Sequence, residues 1–254
     1  MEIKNNNNIA TISDIFPTIT SWNIDGIDIL FPEQEVLIDG KQKKRGGTPL
    51  CFPNFGHAVT YKGVEIPQHG FLRDKEHQFI RTNGTGPRLF LRGNVQAYNL
   101  SYDTSILMQV HNQFNIPTLT QTLTVKSGIS SEEMPLCLGF HPYFKINRKY
   151  LNFIRDGKAM NMGLFDNEGL LHAQKYDFKN TFEIQIDEKV SVIMCCIGDF
   201  VTGQQQVCIW SDNPDQYICV EPIMHKSELF GTSQGYFVES KEQTFHVSYA
   251  CKRW

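Results

Sequence analysis

The chain has 254 residues, 41% of them hydrophobic and 20% charged, enough apolar material to bury a substantial core. Its formal net charge of −3 at pH 7 argues against broad attraction to nucleic acid or to an anionic membrane surface. No stretch approaches the roughly 18 consecutive apolar residues of a membrane-crossing helix. The polar start, Met1 to Ala10, lacks the apolar segment of a signal peptide, so a cytoplasmic protein is expected.

Period-two alternation recurs from end to end and predicts strands. The run NNNN at 5 to 8 reads as a loop or hairpin tip, and the basic run KQKKR at 41 to 45 reads as a solvated turn. Turns are expected at NGTGP (83 to 87), SGISSEEMP (127 to 135) and DNPDQ (212 to 216). In TLTQTLTVK (118 to 126), Leu119, Leu123 and Val125 point one way, with Thr118, Thr120, Thr122 and Thr124 pointing the other. FEIQIDEKVSVIMCCI and QVCIWSD fit the same template. In TFHVSYAC (244 to 251), Phe245, Val247, Tyr249 and Cys251 share a face. Only HKSELFG (225 to 231) could form helix, and it is short. No linker or repeat divides residues 1–254, so one all-β domain is expected, a large antiparallel β-sandwich with very little helix.

The seven cysteines, at 51, 137, 195, 196, 208, 219 and 251, sit mostly in apolar runs, form no CxxC pair and are odd in number. Reduced, buried thiols are expected, and a metal site built from them is not, because the ligand spacings are missing. The remaining histidines (57, 77, 111, 172, 225, 246) show no HxH or HExxH spacing and read as structural or surface groups.

Four stretches break the alternation with polar groups beside Gly or Pro: RGGTPLCFPNFG (45 to 56), PQHGFLR (67 to 73), GFHPYF (139 to 144) and CVEP (219 to 222). They carry Arg45, His69, Arg73, His141 and Glu221. Pro222 removes a ladder donor and is expected to end the strand that carries Glu221. His141 has the same setting before Pro142, and a sandwich can bring two such strand ends together at one rim. Desolvation would raise the Glu221 pKa, and a nearby carboxylate would keep His141 protonated, giving a base and an acid at one pH. Singly, each has a structural alternative: a hydrogen-bonding His, a solvated Glu before Pro, and arginines in rim salt bridges of little worth.

Taken in order, these four stretches resemble the aldose 1-epimerase (galactose mutarotase-like) family, closest to the branch of bacterial mutarotases and glucose-6-phosphate 1-epimerases. The resemblance spans Arg45 to Glu221 and implies the family's large β-sandwich, the galactose mutarotase-like supersandwich. It further implies that His141 is the general acid at the sugar ring oxygen and Glu221 the general base at the anomeric hydroxyl. His69, Arg73 and Arg45 would bind substrate, with the arginines placed to meet a phosphate, and the KQKKR run could draw an anionic sugar. Tyr143, Phe71, Phe55 and Trp210 are candidates for an apolar wall against a sugar face. A sugar or sugar phosphate is then the expected partner, and no metal or redox cofactor is required.

Three departures bear on substrate identity. The Asp-Arg pair usual in the sugar-phosphate branch is absent between 160 and 200, where Asp177 and Asp187 are not followed by Arg. The Trp usual after the HGF-R segment is missing from DKEHQF, and YFVESKEQ lacks the usual Pro-Gly. A non-catalytic carbohydrate-binding protein is the alternative; a matched proton pair speaks against it. Glycosidic cleavage ordinarily wants two carboxylates, and the sequence offers one.

Overall fold

In the computed structural model, the described residues are 1–15, 17–38, 40–73, 80–81, 86–97, 100–129, 133–160, 171–198, 205–238 and 241–253. Among them the regular structure is β, apart from two 3₁₀ turns, Arg148–Tyr150 and Ser227–Leu229. The second falls in the HKSELFG segment. Residues 83–85 of the NGTGP turn and 130–132 of the SGISSEEMP turn lie outside the described residues, as does the DKEHQF segment. DNPDQ joins Gln206–Ser211 to Tyr217–Ile223 as expected, and the asparagine run caps the hairpin of Glu2–Asn5 and Asn8–Ile12.

The largest sheet has nine antiparallel strands, and the alternating segments Ile116–Ser127 and Gln243–Arg253 lie side by side within it. Leu119, Leu123, Val125, Phe245, Val247, Tyr249 and Cys251 are buried, while Thr122, Thr124, Thr244 and His246 remain partly exposed on the other face. Thr118 and Thr120 depart from the alternation and are buried too. The N-terminal hairpin covers that end, where Asn8 Nδ2 donates to the carbonyls of His111 and Thr118. FEIQIDEKVSVIMCCI becomes two paired strands of the same sheet, Thr181–Asp187 and Val190–Gly198.

A second sheet runs in the order Leu171–Asp177, Gln206–Ser211, Tyr217–Ile223, Gly139–Phe140, Leu50–Cys51, with Tyr143–Lys145 also paired to Tyr217–Ile223. One of its faces packs on the nine-stranded sheet: Phe140 stacks on Phe245 at 5.8 Å, and Phe144 meets Tyr249 edge-on, also at 5.8 Å. Because strand side chains alternate, His141 and Tyr143 turn to the opposite face.

Two expectations need correction here. The KQKKR run is a strand, Lys41–Arg45, paired with Gln34–Ile38 in a two-stranded ribbon. The reversal falls earlier, at Gly40 with φ 71°, and the long lysine stems suit a ribbon opposite Val36 and Ile38. Nor does Pro222 end its strand. Tyr217–Ile223 continues through it, with Pro222 opposite Val207 and Ile223 opposite Gly139. The missing donor is tolerated because the neighbouring strand on that side is itself interrupted, between Phe140 and Tyr143.

Candidate active site

That interruption builds the site. Gly139 lies opposite Ile223 and Tyr143 opposite Cys219, so the shared register sets His141 opposite Glu221 although no ladder bond joins them. His141 does follow a strand end, at Phe140, as expected, whereas Glu221 lies inside its strand, and register rather than a shared rim sets them face to face. His141 Nε2 and Glu221 Oε1 are 3.3 Å apart, with both residues buried, at 4% and 2% exposure. The row continues outward through Cys208, opposite Glu221, to Lys175, opposite Cys208. The next row holds Trp210, Cys219 and Tyr143. All of these except the buried Cys219 line a cavity of about 850 Å³, within the size range of small-molecule sites.

The imidazole of His141 is held by packing. Tyr143 stacks on it at 4.8 Å with 20° between planes, and Trp210 and His69 meet it edge-on at 5.9 and 5.5 Å. Its Nδ1 is buried without a hydrogen-bond partner among the described residues. Arg73 Nη2 donates to the Tyr143 hydroxyl at 3.0 Å, which fixes the ring that lies on His141.

His69 and Arg73 come from a loop knitted to the Leu50–Cys51 strand end. Phe52 N–H donates to the His69 carbonyl at 3.2 Å, and Phe71 N–H donates to the Phe52 carbonyl at 2.6 Å. The crossing leaves no room at Gly70: its φ is +77°, and an added Cβ would stand 2.0 Å from the Phe52 carbonyl oxygen. The Gly of the HGF stretch is thus a packing requirement. Gly70→Ala is expected to cost more than about 3 kcal/mol, read as a drop in the urea midpoint with m unchanged. A loss within about 0.5 kcal/mol would show that the crossing relaxes freely.

Arg45 lines the cavity, but its donors are engaged. Its Nε and Nη2 reach both Asp212 oxygens at 2.8 to 3.3 Å, and Nη1 donates to the Lys44 carbonyl at 2.9 Å. The guanidinium lies 5.5 Å from the Trp210 ring, and the Tyr217 hydroxyl donates to Asp212. Asp212 escaped the sequence reading because it falls in a turn. Its only signal is that it continues the Cys208, Trp210 alternation. Among the wall candidates, Tyr143, Phe55 and Trp210 line the cavity, whereas the buried Phe71 does not. Asp177 and Asp187 do not line it either.

Burial dominates the electrostatics. It pushes the Glu221 carboxyl up to about 8 against the pull of the Arg73 and Lys175 charges. Burial, then the Arg73 charge and His69, hold His141 well below the ordinary imidazole range. His69 is lowered to about 3 by burial, Arg73 and His57. The expectation that a carboxylate neighbour keeps His141 protonated is therefore overturned, because a carboxylic acid near neutral pH supplies no negative charge. Burial thus favours the neutral form of each group, with the pair's proton on Glu221 rather than on His141.

Residues 1–163 match the family model described as Aldose 1-epimerase. A Cenchrus ciliaris protein provisionally named as a glucose-6-phosphate 1-epimerase is 38% identical over 58 residues, 22% of this chain and only 16% of that protein's length. Among solved structures, the Slr1438 protein of Synechocystis sp. PCC 6803 superposes with a TM-score of 0.73 at 18% identity, covering 100% of this chain and 96% of that one. A galactose mutarotase related enzyme of Lactobacillus acidophilus gives 0.71 at 20% identity, covering 98% and 96%. At these identities the superpositions speak for the β-sandwich fold.

Proposed function

Since the chain belongs to the aldose 1-epimerase family, we propose that it interconverts the α and β anomers of a hexose or hexose 6-phosphate, with His141 and Glu221 as the proton-transfer pair. The observation that carries this reading is the buried His141–Glu221 contact of 3.3 Å on the wall of a sugar-sized cavity. Ring opening needs a proton taken from the anomeric hydroxyl while another is given to the ring oxygen. With sugar against the pair, its one proton sits on His141 Nε2, and Glu221 is the carboxylate. Glu221 takes the hydroxyl proton, His141 delivers its own to the ring oxygen, and the C1–ring oxygen bond breaks. The pair is then left with protonated Glu221 and neutral His141, which is its resting state in the empty site. After the aldehyde turns about C1–C2, the same transfers run backwards and close the ring on the other face.

His69 and Arg73 hold the sugar against the pair. The lining also favours an anion. Lys43, Lys44, Arg45, Arg73 and Lys175 outnumber Glu33, Glu221 and Glu228 around the cavity, in a chain whose net charge is −3. Three of these cations already meet carboxylates: Arg45 with Asp212 and Lys44 with Glu33, each at 2.8 Å, and Lys175 with Glu228 at 3.6 Å. Two-dimensional exchange NMR on galactose, glucose and glucose 6-phosphate tests the reading. Accelerated exchange is expected, largest for glucose 6-phosphate and weakened by salt. Acceleration for free hexoses alone would remove the anion assignment. No acceleration for any of the three would overturn the activity in favour of a binding protein.

A further inference from the structure

The wall behind the acid–base pair holds a third donor that the proton transfers do not use. Cys219 and Glu221 are two residues apart on Tyr217–Ile223 and face the same side of the sheet. His141 lies opposite Glu221 by register, which sets it diagonal to Cys219. The donor atoms of His141, Cys219 and Glu221 all fall within 4.8 Å of one another. The Cys219 side chain is fully buried and takes part in no disulfide.

Zinc bonds of about 2.0–2.1 Å to nitrogen and oxygen place two tetrahedral donors roughly 3.3 Å apart. The His141 Nε2–Glu221 Oε1 separation is already 3.3 Å. A zinc–sulfur bond of about 2.3 Å asks for roughly 3.6 Å between sulfur and either partner, so the Cys219 sulfur has at most about 1.2 Å of separation to close. We infer that His141, Cys219 and Glu221 form a binding site for a thiophilic divalent cation, Zn²⁺ being the best match, with its fourth position open to the cavity. Magnesium and calcium prefer all-oxygen donors, which this set does not offer. Two ligands come from one strand and His141 from the break beside it, so no sequence spacing announces them. A bound ion occupies both proton-transfer atoms and so inhibits; that consequence rests on the proposed epimerase activity, whereas the binding itself does not.

Cobalt reports the site directly. Titration of the whole chain with CoCl₂ is expected to give a thiolate-to-cobalt charge-transfer band in the near ultraviolet, together with the visible absorption of a tetrahedral ion. Zn²⁺ is expected to displace both signals. Cys219→Ser should lose the charge-transfer band and require at least about 10-fold more Zn²⁺ for half-inhibition of anomer exchange, while its exchange rate without zinc stays unchanged. Cys208→Ser, altered in the neighbouring row, should keep the band. Glu221→Gln, a second variant that leaves the thiol in place, should bind cobalt at least about 10-fold more weakly with the band retained. A wild-type titration without the band, or a band that survives in Cys219→Ser, would overturn the site. Cobalt binding in a chain that accelerates no anomer exchange would uphold the site and remove the epimerase reading. Exchange without cobalt binding would do the reverse.

Discussion

Glu221→Gln is expected to slow anomer exchange by about 10²–10⁴-fold, the usual worth of one positioned proton transfer, with substrate binding little changed. The amide keeps the shape and fills the same space opposite His141, but it accepts no proton from the anomeric hydroxyl. The variant should also be more stable than the native chain in a pH-dependent way. Folding raises the Glu221 carboxyl from 4.5 to about 8, so between those values the folded chain holds more proton than the unfolded one. Stability from this group is complete below about 4.5 and is lost as pH rises towards 8. Glutamine does not titrate. The stability gap should therefore widen with pH across that window, by at most about 1.4 kcal/mol per unit. Urea unfolding at pH 5, 6.5 and 8 checks this beside the exchange rate. A slow variant with no pH-dependent gain would mean that burial is not what sets this carboxyl.

The sheet was legible in the sequence wherever one face is buried. Phe245, Val247, Tyr249 and Cys251 alternate strictly because their strand lies between a core and a wetter face. The candidate residues were legible as interruptions: His141, Glu221, His69, Arg73 and Arg45 all line one cavity. Register was not. Nothing local says that His141 lies opposite Glu221, since that depends on pairing partners about eighty residues away. Pro222 was misread for the same reason: its cost depends on whether the neighbouring strand needs the missing N–H, and here that strand is broken at His141–Pro142. The protonation of His141 was misread because a carboxylate's influence was taken without its own desolvation. Asp212 and Cys219 act only through partners that folding brings to them.

His141→Gln should match Glu221→Gln in rate loss, about 10²–10⁴-fold, and the double variant should be scarcely slower than either single one, because the two residues work as one unit. The pH dependence separates their roles more sharply than the size of the loss. In the native site the pair holds one proton, from well below the ordinary imidazole range up to about 8. The two arrangements of that proton belong to a single titration state, so activity follows the pair rather than either residue. Enzymatic exchange should then show no acid limb near pH 6.5 and should fall above about pH 8, where the proton is lost. With glutamine at 141, the residual rate depends only on Glu221 as a carboxylate. Its elevation comes from burial, opposed by Arg73 and Lys175, and the substitution removes none of these. The variant's kcat/KM should therefore rise towards pH 8 over the range where the native value is flat, and it should level off where the native value begins to drop. Profiles that differ in this way, after subtraction of the uncatalysed rate, would establish the shared proton as the working part of the site. A variant that keeps the native alkaline decline would place that proton on some group other than His141.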